Sequence, residues 1–109
     1  MNKYGARKTS YKGQMFDSKK EAEYAQFLEL SKKARDKKDR VVSYESQVVY
    51  PIVINKIPVC KYIADFRVLY ADGRIEIVDV KSAFTKKLPV YRLKNKLMKA
   101  VYGIDLIEV

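Results

Sequence analysis

Apolar positions recur along this chain with two different periods, and the switches between them mark out its elements. From Ser18 onward, Ala22, Ala25, Leu28 and Phe27, Leu30, Ala34 return at helical spacing, which predicts an amphipathic helix over residues 19–35. The SKKE at its start has the form of a capping box, with Ser18 as N-cap and Glu21 at the third helical position. The run KKARDKKDR closes it as a solvated last turn whose charge suits the helix dipole. Three strand-like runs follow, rich in β-branched and aromatic residues, at 41–54, 57–70 and 74–82. Asn55-Lys56 reads as the turn between the first two and Ala71-Asp72-Gly73 as the turn between the second and third. Pro51 marks the far end of the first run as a sheet edge or a bend. Beyond a break at 83–89, Leu93, Leu97, Ala100 and Val101 line one face of a second helix, with Gly103 as its C-cap. The final IDLIEV supplies a last strand. Residues 1–16 are polar and basic and form an N-terminal arm or a hairpin turning near Gly13, ahead of a single domain over 17–109. The order α-β-β-β-α-β predicts an α/β fold with a mixed sheet flanked by helices.

Composition narrows the function. The chain has 109 residues, 23 of them Lys or Arg against 13 Asp or Glu, for a formal charge of +10. Such a surplus on a small body points to a polyanion, nucleic acid before an acidic protein or membrane surface. The basic residues cluster in the first twenty positions, in 32–40, and between Lys81 and Lys99, where no acid interrupts them. With one cysteine and no histidine, a disulfide framework, the usual zinc sites and histidine-based triads are excluded. No apolar run is long enough for a membrane span, and the cytoplasm is the expected compartment, the host's if the gene is phage-encoded.

The acids gain meaning once placed on this frame. If the ADG loop has three residues, Tyr70 pairs with Arg74 and Asp65 falls opposite Asp79 on one sheet face, with Lys81 two residues on. A two-residue loop turns Asp65 to the other face. Like charges opposed across a ladder are destabilising, and two carboxylates with carbonyl and water oxygens form a coordination that Mg²⁺ accepts. Asp79 and Lys81 end an otherwise apolar strand, where charge is costly unless paired or functional. Cys60 reads as a small packed side chain, and Tyr62, Phe66, Val68 and Tyr70 as core. Tyr4, Tyr11 and Tyr91, set among lysines, are the tyrosines placed to meet sugars or bases.

Asp65, thirteen residues, then Asp79-Val80-Lys81 resembles the D…(D/E)xK signature of the PD-(D/E)XK nuclease superfamily. Glu21 stands where that superfamily carries its N-terminal glutamate. FDSKKEAEYAQFLEL, the strand with Gln47, KYIADF, IVDVKS and YRLKNKL together resemble small phage-encoded, Holliday-junction-resolvase-like endonucleases over residues 4–109. Ala64 replaces the proline usual before the first aspartate, and Asp79 replaces the commoner glutamate, which shortens its reach by one methylene. The resemblance implies a restriction-endonuclease-like core and a Mg²⁺-dependent endodeoxyribonuclease, with Mn²⁺ able to substitute. It implies Asp65 and Asp79 as metal ligands and Glu21 completing the cluster. Lys81 then orients or deprotonates the attacking water, and Gln47 lines the site. Glu23 is the alternative acid if the helix is rotated, although a solvated partner for neighbouring lysines is its simpler role.

The phosphate contacts expected beside this site are Lys3, Arg7, Lys8 and Lys12 of the arm and Arg92, Lys94, Lys96 and Lys99 of the second helix. Resolving a four-way junction takes two symmetric cuts, so a homodimer is implied. The competing expectations are a less selective phage nuclease and a non-catalytic basic protein that coats DNA or RNA.

Overall fold

The computed structural model describes residues 9–11, 14–16 and 18–109. Its elements run β1 (Thr9–Tyr11), β2 (Gln14–Phe16), α1 (Lys19–Ser31), β3 (Val41–Ile54), β4 (Ile57–Tyr70), β5 (Ile75–Asp79), α2 (Ala83–Lys86), α3 (Pro89–Tyr102) and β6 (Ile107–Glu108). This is a mixed α/β arrangement. The larger sheet has the order β3-β4-β5-β6, with β5 and β6 parallel. By contact the chain divides into two compact units, Met1–Tyr44 with Leu69–Arg74, and Glu45–Val68 with Ile75–Val109.

In the first unit β1 pairs antiparallel with β2, Thr9 opposite Phe16 and Tyr11 opposite Gln14. The turn expected near Gly13 lies outside the described residues. α1 starts where its capping signal lies: the Ser18 hydroxyl accepts the Glu21 N–H at 3.1 Å. The helix stops at Ser31, four residues before the expected end, and carries no basic residue in its last turn. Asp36 is the reason. Its carboxylate accepts the Lys38 N–H and its carbonyl accepts those of Asp39 and Arg40, an Asx-type turn that competes with helix once the apolar stripe has run out. That stripe is also narrower than expected: Ala22, Ala25 and Leu28 are buried, but Phe27 and Leu30 are exposed. The ADG turn closes with the Tyr70 N–H donating to the Arg74 carbonyl at 2.9 Å and Gly73 at φ 90°, the three-residue form.

The second unit holds the best-defined core. Ile52, Tyr62, Ala64, Ile77 and Met98 bury one another, with Tyr50, Cys60, Leu97, Ile104 and Leu106 packed around them. Ile52, Ile77 and Met98 each contribute about 1.5–3 kcal/mol when fully buried. Asn55 and Lys56, at φ 50° and 67°, make the tight turn joining β3 to β4. Pro51 lies in β3, an edge strand, where its missing N–H breaks no central ladder bond. α3 begins with Pro89 and ends on left-handed Gly103, whose N–H returns to the Lys99 carbonyl. Its buried residues are Tyr91 and Met98, not the predicted stripe. Leu93 is 58% exposed, Val101 and Ala100 are exposed, and Leu97 alone is partly covered. The last strand is only two residues long, against the six of IDLIEV.

Candidate functional site

The site grows out of the end of β5. That strand stops at Asp79 because the next N–H, that of Val80, leaves the ladder and donates to the Asp65 carboxylate at 2.8 Å. The same Asp65 oxygen, Oδ2, accepts the Lys81 ammonium at 2.8 Å. Lys81 Nζ also lies 3.8 Å from Asp79 Oδ1. Asp65 and Asp79 are 0% exposed and Lys81 is 6% exposed. Burial along β4 is continuous from Ala64 to Phe66, so Asp65 is enclosed where simple alternation would expose it.

A second set of contacts reaches Asp79 from the other side. The Tyr91 hydroxyl lies 2.7 Å from Glu108 Oε2, to which it donates, and 3.3 Å from Asp79 Oδ2. β6 pairs with β5 so that Glu108 stands beside Asp79, and the Val109 N–H donates to the Asp79 carbonyl at 2.9 Å. Burial first, then the bond to Glu108 and the charge of Asp79, push the Tyr91 hydroxyl far above the usual tyrosine range and keep it a proton donor. Tyr91 is thus a buried member of this cluster, 4% exposed, and not the surface tyrosine that its basic neighbours suggest. The sequence placed Tyr91 among contacts to nucleic acid, away from the acidic cluster, and assigned Glu108 no role. The available signal was an acid in a short apolar strand that must pair beside the strand of Asp79.

Glu21, in the first unit, is 2% exposed. Capping explains a glutamate there, since a glutamate at the third helical position can reach back toward the N-cap N–H. Glu23 is exposed and lies 4.0 Å from Lys19. Gln47 is exposed on β3 with its backbone at φ 55°, a left-handed conformation rare for a residue with a side chain. On α3, Arg92, Lys96 and Lys99 are exposed and Lys94 is half-buried, with Lys99 held 2.8 Å from Asp105. Tyr11 is half-buried, while Tyr4, Lys3, Arg7, Lys8 and Lys12 lie outside the described residues.

Among the described residues, the buried charged side chains are Glu21, Asp65, Asp79 and Lys81, three acids and one base. Burying an ion is costly unless opposite charge accompanies it, and within the second unit Asp65 and Asp79 face one ammonium, that of Lys81. The donors fit Mg²⁺, being hard carboxylate oxygens. No group of three or more Asp, Glu or Cys side chains gathers as a metal-holding set among the described residues, so the fit rests on the Asp65–Asp79 pair. No helix among them is long and apolar enough to cross a membrane.

Over residues 1–106 the chain matches the family described as "Protein of unknown function (DUF1064)", and it belongs to that family. None of the curated proteins matches it.

Proposed function

We propose that this chain is a Mg²⁺-dependent endodeoxyribonuclease of the PD-(D/E)XK kind, acting on branched DNA such as a four-way junction. One observation carries the reading. Asp65, Asp79 and Lys81, the three residues of the D…DxK pattern, converge within 4 Å contacts of a shared ammonium, out of solvent. The hairpin register brings the three together, and their burial is the costly feature that a site role accounts for. The helix–three strands–helix–strand order agrees with a restriction-endonuclease-like core, β1, β2 and α2 being additions to it. The left-handed backbone at Gln47 agrees with a site role too, since such strain tends to persist where function requires it.

In this reading Asp65 and Asp79 hold the cation, and Mn²⁺ can replace Mg²⁺. The bound ion supplies Lewis-acid stabilisation of charge on the phosphate. Lys81 already projects its ammonium between the two aspartates. There it can orient the attacking water and stabilise negative charge as the scissile bond breaks. Arg92, Lys94 and Lys96 grip phosphates and fix the position of the strand, contacts that carry little sequence information. Lys3, Arg7, Lys8 and Lys12 would extend that grip. Two symmetric cuts require two sites, hence a two-fold dimer.

The test is incubation of the protein with an end-labelled four-way junction, with and without Mg²⁺. Paired symmetric nicks that vanish in Asp79→Asn and Lys81→Ala, with junction binding retained, are the expected result. Equal cutting of linear duplex would replace junction selectivity with a general nuclease. Salt-sensitive binding without any divalent-dependent cleavage would reduce the protein to a nucleic-acid coat.

A further inference from the structure

We infer that Tyr91 is a positioning residue of this site: its hydroxyl, anchored on Glu108, holds the Asp79 carboxylate in the orientation that receives a divalent cation. The inference rests on the nuclease reading and adds two residues to it. A buried aspartate has a broad second rotor, and with no solvent to orient it the neighbouring groups decide where its oxygens point. Here they divide the task. Asp79 Oδ1 faces Lys81 at 3.8 Å, and Oδ2 faces Tyr91 at 3.3 Å.

The hydroxyl has a single proton, shared unequally between Glu108 Oε2 at 2.7 Å and Asp79 Oδ2 at 3.3 Å. Glu108 is the anchor and Asp79 the longer, steered contact. A tyrosine needed only for packing could be phenylalanine, because a buried hydroxyl must be given a partner. This one finds its partner on β6, beside Asp79 in the parallel register. The same strand therefore holds residue 79 twice, by the Val109 N–H on its carbonyl and by Glu108 through Tyr91 on its side chain.

Tyr91→Phe removes the hydroxyl and keeps the ring, and Glu108→Ala removes the anchor from an exposed position where folding is not at stake. Mn²⁺ titrated into the full chain by calorimetry, without DNA, reads the site directly. Tyr91→Phe should bind Mn²⁺ about ten-fold more weakly than wild type, the scale of one lost hydrogen bond to a charged group. Glu108→Ala, which leaves the whole proton to Asp79, should change the affinity only while Tyr91 keeps its hydroxyl. Combining them should add little, because they break one linkage. In junction cleavage by Tyr91→Phe the Mn²⁺ concentration for half-maximal rate should rise by the same factor, while the rate at saturating metal falls less. Tyr102→Phe is the control. It removes a hydroxyl from the same helix, one that donates to the Pro51 carbonyl outside the site. Wild-type Mn²⁺ affinity in both Tyr91→Phe and Glu108→Ala overturns the inference and leaves the nuclease reading standing. A wild-type chain that neither binds Mn²⁺ nor cuts DNA removes both together.

Discussion

Asp65 and Lys81 meet at 2.8 Å with both side chains withdrawn from solvent, although they stand 16 residues apart in the chain. Such a pair adds little over an apolar substitute, yet breaking one side strands the other as an uncompensated buried charge. Lys81→Met should therefore lower stability by about 3–5 kcal/mol. Asp65→Leu/Lys81→Met should recover a substantial part of that loss. The recovery is incomplete because the Val80 N–H still loses its acceptor. Urea unfolding followed by circular dichroism measures both. Additive losses would mean that the two groups are not coupled.

A divalent cation that enters the Asp65–Asp79 pair binds the folded chain and not the unfolded one. At ten times its dissociation constant, Mg²⁺ should add about 1.4 kcal/mol of stability, several degrees in melting temperature for a domain of this size. EDTA should reverse the gain, and Asp79→Asn should abolish it. Differential scanning fluorimetry across a Mg²⁺ series is sufficient. A melting temperature indifferent to Mg²⁺ would count against the metal site.

Stability at alkaline pH should depend on Tyr44. Burial, and then the 2.6 Å bond its hydroxyl donates to Glu29, raise this group above its ordinary value of 10.0. Lys32 completes the cluster, 3.0 Å from Glu29 and over the Tyr44 ring. A raised acid keeps its proton longer in the folded state than in the unfolded state. Below about pH 10 both states are protonated and the group leaves stability unchanged. Above it the unfolded chain ionises first, so stability falls with rising pH until the folded group titrates as well. Tyr44→Phe should flatten that decline, as read from urea midpoints between about pH 9 and about pH 11.

DNA affinity should fall steeply with salt, with a log–log slope near −5 if ~6 phosphates are neutralised. Arg92→Ala and Lys96→Ala should each reduce the slope by about one. Lys99→Ala should change it less, because Asp105 already engages that ammonium at 2.8 Å. Fluorescence anisotropy at stepped KCl concentrations distinguishes the three.

The periodic signals were legible and held well where local chemistry alone decides. Ser18 caps α1, Asn55-Lys56 turns β3 into β4, both long strands run over the expected residues, and Gly103 ends α3. Errors gathered where a local pattern had two possible outcomes. The lysine-rich run after Ser31 is as compatible with a turn as with a helix, and the Asp36 carboxylate chose the turn. On α3 two apolar faces compete, and the buried one contains Tyr91 and Met98 while Leu93 and Val101 face outward. Hydrophobic periodicity measures amphipathicity. It does not say which of two adjacent stripes a sheet will cover.

The sequence by itself determined the kinds of element and tied the face of Asp65 to the length of the ADG loop, because a period of two leaves a strand no freedom once its register is set. The three-residue loop itself is a finding of the structure. The sequence also singled out Asp79 and Lys81, since charge at the end of an apolar strand is conspicuous, while Glu21 and Asp65 took their site roles from the resemblance. Only the tertiary structure decided that the Asp65 carboxylate would draw the Val80 N–H out of the ladder, and that Tyr91 and Glu108 would meet beside Asp79. Those contacts join residues from separate elements, and their geometry follows from how the elements pack, which no local pattern encodes.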